Sequence, residues 1–145
     1  MKRAFPLLAL ALLSCSQTTR PPDVEVTGAW ARATMPGRTT TAAYFTISNR
    51  GGGDDALLSV TATSGFAQLH STSMDRGIMR MRSVERLPIA AGEMVKLEPG
   101  GTHLMLTELR MPLVPGRRIE LSLRFEKSGE RKVAAEVRDS LGEHA

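Results

Sequence analysis

The chain has 145 residues, 41% hydrophobic and 23% charged, the balance of one globular domain with room for a real core. Aromatics make up only 4%, so that core must rest on Leu, Val, Ile and Ala. The formal charge of +4 falls to +2 without Lys2 and Arg3, which is too mild for a nucleic-acid binder, and no nucleic-acid motif accompanies it.

Residues 1–15 read as an export signal. Lys2 and Arg3 precede Ala4 to Leu13, an apolar run of ten, too short to span a bilayer as a mature helix. The run ends Leu12-Leu13-Ser14-Cys15, which is similar to the lipobox of bacterial lipoproteins. That similarity implies lipidation at Cys15, a membrane anchor, and a periplasmic or other extracytoplasmic location. Leu13 departs from the small or β-branched residue usual there, and a plain cleaved signal containing a cysteine is the alternative. Cys15 is the only cysteine, so the exported domain has no intramolecular disulfide and no thiolate. Zinc–cysteine sites, thiol proteases, thioredoxin-like redox work and blue-copper centres are excluded with it.

Residues 16–23 (SQTTRPPD) form a polar, Pro-rich tether. Short β-rich runs then recur: Val24 to Thr34, Thr40 to Ser48, Ala56 to Thr63, Phe66 to Ser71 and Ile78 to Val84. Met94 to Leu97, His103 to Leu109, Ile119 to Phe125 and Lys132 to Val137 continue the series. Pro99-Gly100-Gly101 and Pro115-Gly116 are turn signals at strand boundaries. Many short strands without a long helical period predict an all-β, two-sheet sandwich over residues 24–140, with 141–145 as a short tail. Trp30 and Tyr44 are expected as core aromatics.

Methionine is unevenly placed. Six of eight fall between His70 and Met111, a window that also holds two of the three histidines. Strand alternation sorts them. With Leu104 and Leu106 in the core, His103 and Met105 share the other face. Leu69 stands opposite Gln68 and His70 in the same way. Met79 and Met81 share a face away from Arg80 and Arg82, and could be exposed or buried there. Thioether sulfur is soft, uncharged and needs no deprotonation, so with imidazole it favours a soft d¹⁰ ion such as Cu(I) over Zn(II), Mg(II) or Ca(II). Core packing plus surface histidines is the competing explanation of the same pattern.

Ten residues separate His70 from Met81, twenty-one separate Met81 from His103, and Met105 completes His-x-Met. This spacing resembles the motif of the periplasmic copper chaperones, written PCu(A)C. Ala29-Trp30-Ala31-Arg32, Gly77-Ile78-Met79-Arg80-Met81-Arg82 and Leu97-Glu98-Pro99-Gly100-Gly101-Thr102 extend the resemblance, which runs from about Val24 to Val137. It implies a cupredoxin-like β-sandwich, Cu(I) held by His70, Met81, His103 and Met105, and delivery to the Cu(A) centre of a cytochrome oxidase subunit. No catalysis is implied. Some members carry a His/Met-rich C-terminal extension; here the chain closes on Leu141-Gly142-Glu143-His144-Ala145, and His144 is read as a tail residue.

Met79 is expected to pack beside the site, with auxiliary ligation as the alternative; Met74 and Met111 are expected as packing or rim. Arg76, Arg80, Arg82 and Arg86 form a solvated basic face or, alternatively, a docking patch for an acidic partner. Copper storage or resistance would need the same site, and a metal-free lipoprotein binding module is the remaining rival.

Overall fold

The computed structural model describes residues 20–139, all of whose regular structure is β. The export signal, Cys15 and His144 lie outside the described residues.

Ten strands form: β1 Val24–Arg32, β2 Thr41–Asn49, β3 Asp55–Ala62, β4 Phe66–Asp75, β5 Ile78–Ser83, β6 Leu87–Ile89, β7 Met94–Lys96, β8 His103–Thr107, β9 Arg118–Phe125 and β10 Gly129–Arg138. They hydrogen-bond into one continuous sheet in the order β5-β4-β8-β2-β1-β10-β9-β3-β6, with β7 also on β2. The sheet curls until β3 packs against β4, closing a sandwich around one core. The two layers expected from the sequence are therefore one sheet, joined at β1, which runs antiparallel to β2 and parallel to β10.

Alternation of aliphatic side chains builds the interior. Ala43, Phe45 and Ile47 of β2 are buried, as are Leu104 and Leu106 of β8, Leu121 and Leu123 of β9, and Ala135 and Val137 of β10. Aliphatic side chains dominate, as the low aromatic content requires. Strand β6 went unread in the sequence because Pro88 sits in its middle; it forms at the sheet edge, where a missing N–H is tolerated.

Tyr44 is buried, 4% exposed, as expected of a core aromatic, whereas Trp30 corrects the expectation. Val24 and Ala31 both face the core although seven positions apart, which an unbroken strand forbids. The register against β2 slips between Thr27 and Trp30, and Gly28 there has φ of 63°, so a β-bulge inverts the alternation. Trp30 is thereby turned to the outer face, directly opposite Tyr44, whose neighbours Ala43 and Phe45 take the core. The two rings stack at 4.7 Å, flanked by Arg138 over Trp30 and Arg32 over Tyr44.

The end of the tether segment is tied down. Asn49, buried at the end of β2, accepts from the Asp23 amide through Oδ1 and donates through Nδ2 to the Gly53 and Ile89 carbonyls. A Cβ at Gly51 would stand 2.4 Å from the backbone of Pro21 and Asp23, so only glycine admits the incoming chain.

Candidate metal centre

Strand β4 is the spine of the site. It extends four residues beyond its sequence-based end, to Asp75, and turns through Arg76-Gly77 into β5. Both turn residues have positive φ, 50° and 78°, the geometry of a two-residue hairpin that matches strand twist. Asp75 consequently pairs with Ile78, and the ladder runs back through Met74↔Met79, Thr72↔Met81 and His70↔Ser83. On its other side β4 pairs with β8, placing His70 opposite His103 and Gln68 opposite Met105.

Directly opposed residues in an antiparallel ladder share a face. Leu69 and Leu104, a paired couple, point into the core. His70, His103, Met105 and Met81 therefore all stand on the outer face. The two histidines form one cross-strand row, with Met81 and Met105 on opposite diagonals of His70. Long unbranched side chains reach across such diagonals.

Each imidazole is prepared differently. His103 is buried, 6% exposed, and its Nδ1 lies 3.0 Å from the Gly101 carbonyl. A carbonyl can only accept, so Nδ1 is the donor of this bond and Nε2 is the ring nitrogen left to face a ligand. Such a backbone hydrogen bond is the usual orienting partner of a ligating histidine. His70 Nδ1 is buried with no hydrogen-bond partner among the described residues, an arrangement that costs about 1–3 kcal/mol unless something binds there. Burial, reinforced by the neighbouring His103, pushes the His70 pKa below its ordinary value. The rings lie 6.0 Å apart, nearly perpendicular.

The two methionines lie outside the core. Met81 is 50% exposed and Met105 partly buried, so neither belongs to the core. Among the described residues no group of three or more His, Cys, Asp or Glu could hold a metal. The donors gathered on this face are two imidazoles and two thioethers, a soft neutral set suited to a monovalent d¹⁰ ion, with an orphaned ring nitrogen already among them.

Met79, expected to pack, is instead 66% exposed on the same face, and Met74 opposite it is 67% exposed. Met111 is also exposed, as a rim residue would be. Arg80 and Arg82 point to the opposite face from Met79 and Met81, Arg80 pairing with Asp75 at 3.7 Å and Arg86 with Glu126 at 2.7 Å. An acidic partner gripping Arg80 and Arg82 would thus meet the face away from the site. Sequence reasoning missed Trp30 as part of the outer face, because the bulge that turns it outward is marked only by Gly28.

The LpqE-like family model, a lipoprotein family by its description, matches residues 24–137. Lxx21020 of Leifsonia xyli subsp. xyli, named as a lipoprotein, is 35% identical over 121 residues, 82% of this chain and 72% of that protein. Among solved structures, the apo PCuAC domain of PmoF2 superposes with a TM-score of 0.70 at 24% identity, covering 84% of this chain and 94% of that domain. Its copper-bound form gives 0.68 at 24% identity, over 80% and 92%. CuI-DR1885 from Deinococcus radiodurans gives 0.63 at 28% identity, over 77% of this chain and 75% of that one. With the sheet, its curl and the matched span in agreement, the chain belongs to the LpqE-like family and has the cupredoxin-like fold of PCuAC domains.

Proposed function

We propose that this protein is a copper chaperone that carries Cu(I) outside the cytoplasm, bound by His70, Met81, His103 and Met105. The observation that carries this reading is the cross-strand pairing of His70 with His103 on the outer face, flanked by two methionines the core does not use. The copper-bound PmoF2 domain and CuI-DR1885 are neighbours of the same fold, which supports copper as the cargo.

The chemistry suits carriage rather than catalysis. Neutral thioether and imidazole donors hold a monovalent ion without deprotonation of sulfur. Thiolates of an acceptor, such as those of a Cu(A) centre in a cytochrome oxidase subunit, would displace them one at a time by stronger donation. Residues 1–15 serve as the export signal, Cys15 as the lipid anchor, 16–23 as the tether and 24–140 as the copper domain. The lipoprotein names of the family and of the Leifsonia relative support this location. Storage would use the same ligands.

Mixing Cu(I)-loaded protein with an apo oxidase subunit tests the delivery role. Movement of copper to the subunit is expected; retention on this chain against a competent acceptor would favour storage.

A further inference from the structure

The hairpin tip carries two methionines that neither the core nor the four-residue site uses. Met74 and Met79 are directly opposed across β4 and β5, and they are exposed to a degree unusual for methionine. Their row lies on the same face as the proposed copper ligands. Met79 is two residues from Met81 on β5, and Met74 is two residues from Thr72, the partner of Met81. From the tip inward, the face therefore reads Met74/Met79, then Met81, then His70/His103. Adjacent rows of this kind are roughly 7 Å apart, and directly opposed Cβ atoms about 5 Å, distances that three flexible thioethers can close around one ion.

We propose that Met74 and Met79, together with Met81, form a loading station for Cu(I) at the tip of the β4–β5 hairpin. This deepens the carrier reading above and rests on it. Met81 belongs to both donor sets, so an incoming ion need never leave it. Copper binds Met74, Met79 and Met81, then exchanges the two outer sulfurs for the imidazoles and Met105. The metal stays monovalent throughout: two thioethers leave, two imidazoles and the Met105 thioether enter, the ion passes from three donors to four, and no proton moves when every donor binds in its neutral form. The station is weaker than the inner site because it lacks imidazole, and this difference gives the transfer its direction. The strained Arg76-Gly77 turn fixes the Met74↔Met79 register on which the station depends.

Two measurements on the exported chain test this. In the first, the protein is labelled with ¹³C at the methionine methyls and titrated with Ag(I), a redox-stable soft d¹⁰ ion. The first equivalent is expected to shift Met81 and Met105, and further metal to shift Met74 and Met79. In the second, uptake of Cu(I) from its acetonitrile complex is followed by stopped flow in the double variant Met74→Leu/Met79→Leu. Leucine keeps the apolar surface and removes only the sulfur, so uptake should slow about five-fold or more while affinity at the inner site stays within about two-fold. Shifts at Met81 and Met105 with none at Met74 and Met79, or unchanged uptake in the variant, would overturn the station and leave the four-residue site standing. A double variant whose inner-site affinity falls together with its rate would also overturn it, by making both residues ordinary ligands. No methionine shift at all would reject the carrier reading itself.

Discussion

His70 and His103 face each other across β4 and β8, and each has one ring nitrogen set aside for a distinct purpose: His103 Nδ1 is bound to the Gly101 carbonyl at 3.0 Å, while His70 Nδ1 is buried without a partner among the described residues. One ring is oriented and the other is left wanting a partner. A soft cation seated between them and two nearby sulfurs would relieve the second condition while using the first.

Removing a sulfur should weaken the metal without harming the fold. Met81 is half exposed and Met105 is not part of the core, so Met81→Leu and Met105→Leu are each expected to leave thermal stability within about 0.5 kcal/mol of the parent. Affinity for Cu(I) should drop at least about ten-fold in each. Competition against a Cu(I) chelator measures the second quantity and a melting curve the first. Equal affinity in variant and parent would remove that methionine from the site.

Acid should release copper later than an ordinary histidine would allow. Burial and the adjacent His103 hold the His70 pKa below 6.5, so His70 remains a neutral donor as the pH falls past that value. The contribution of His70 to Cu(I) affinity is expected to persist below pH 6.5 and then decline. The unfolded chain protonates this residue first, so the metal-free protein loses stability over the interval between 6.5 and the lowered folded value, and recovers it as pH rises. Affinity measured across this range, with His70→Ala showing a flatter profile, checks the assignment.

The site's reach depends on a glycine in the hairpin. Gly77 sits at φ 78°, where a Cβ is unfavourable although the surrounding space is open. Gly77→Ala should destabilise by about 1 kcal/mol and loosen the β4–β5 register that sets Met81 opposite Thr72. Denaturant titration reads the first effect. Hydrogen exchange at the β5 amides reads the second, which should appear as faster exchange confined to this hairpin.

Much of this architecture is legible in the residues, and the exceptions have physical causes. Nine of the strands announce themselves through β-branched and aliphatic runs between Gly, Pro and Asn, and alternation correctly sends Leu69, Leu104 and Leu106 inward. Alternation fails where the backbone slips, so Gly28 reverses the side of the sheet that Trp30 occupies. It also cannot see strand β6, whose Pro88 reads as a breaker and survives only at an edge. For the candidate site, the spacing of His70, Met81, His103 and Met105 is visible, but the row that joins them is not. Which strand lies beside β4, and in what register, is decided by long-range pairing, and so the opposition of His70 with His103 and of Met74 with Met79 emerges only in three dimensions.

X-ray absorption at the copper edge of the Cu(I)-loaded protein tests the central claim most directly. Two imidazole nitrogens and two thioether sulfurs should surround a monovalent ion, and the sulfur contribution should fall by half in Met81→Leu. A coordination shell of nitrogen and oxygen alone, with no sulfur in the parent protein, would contradict it.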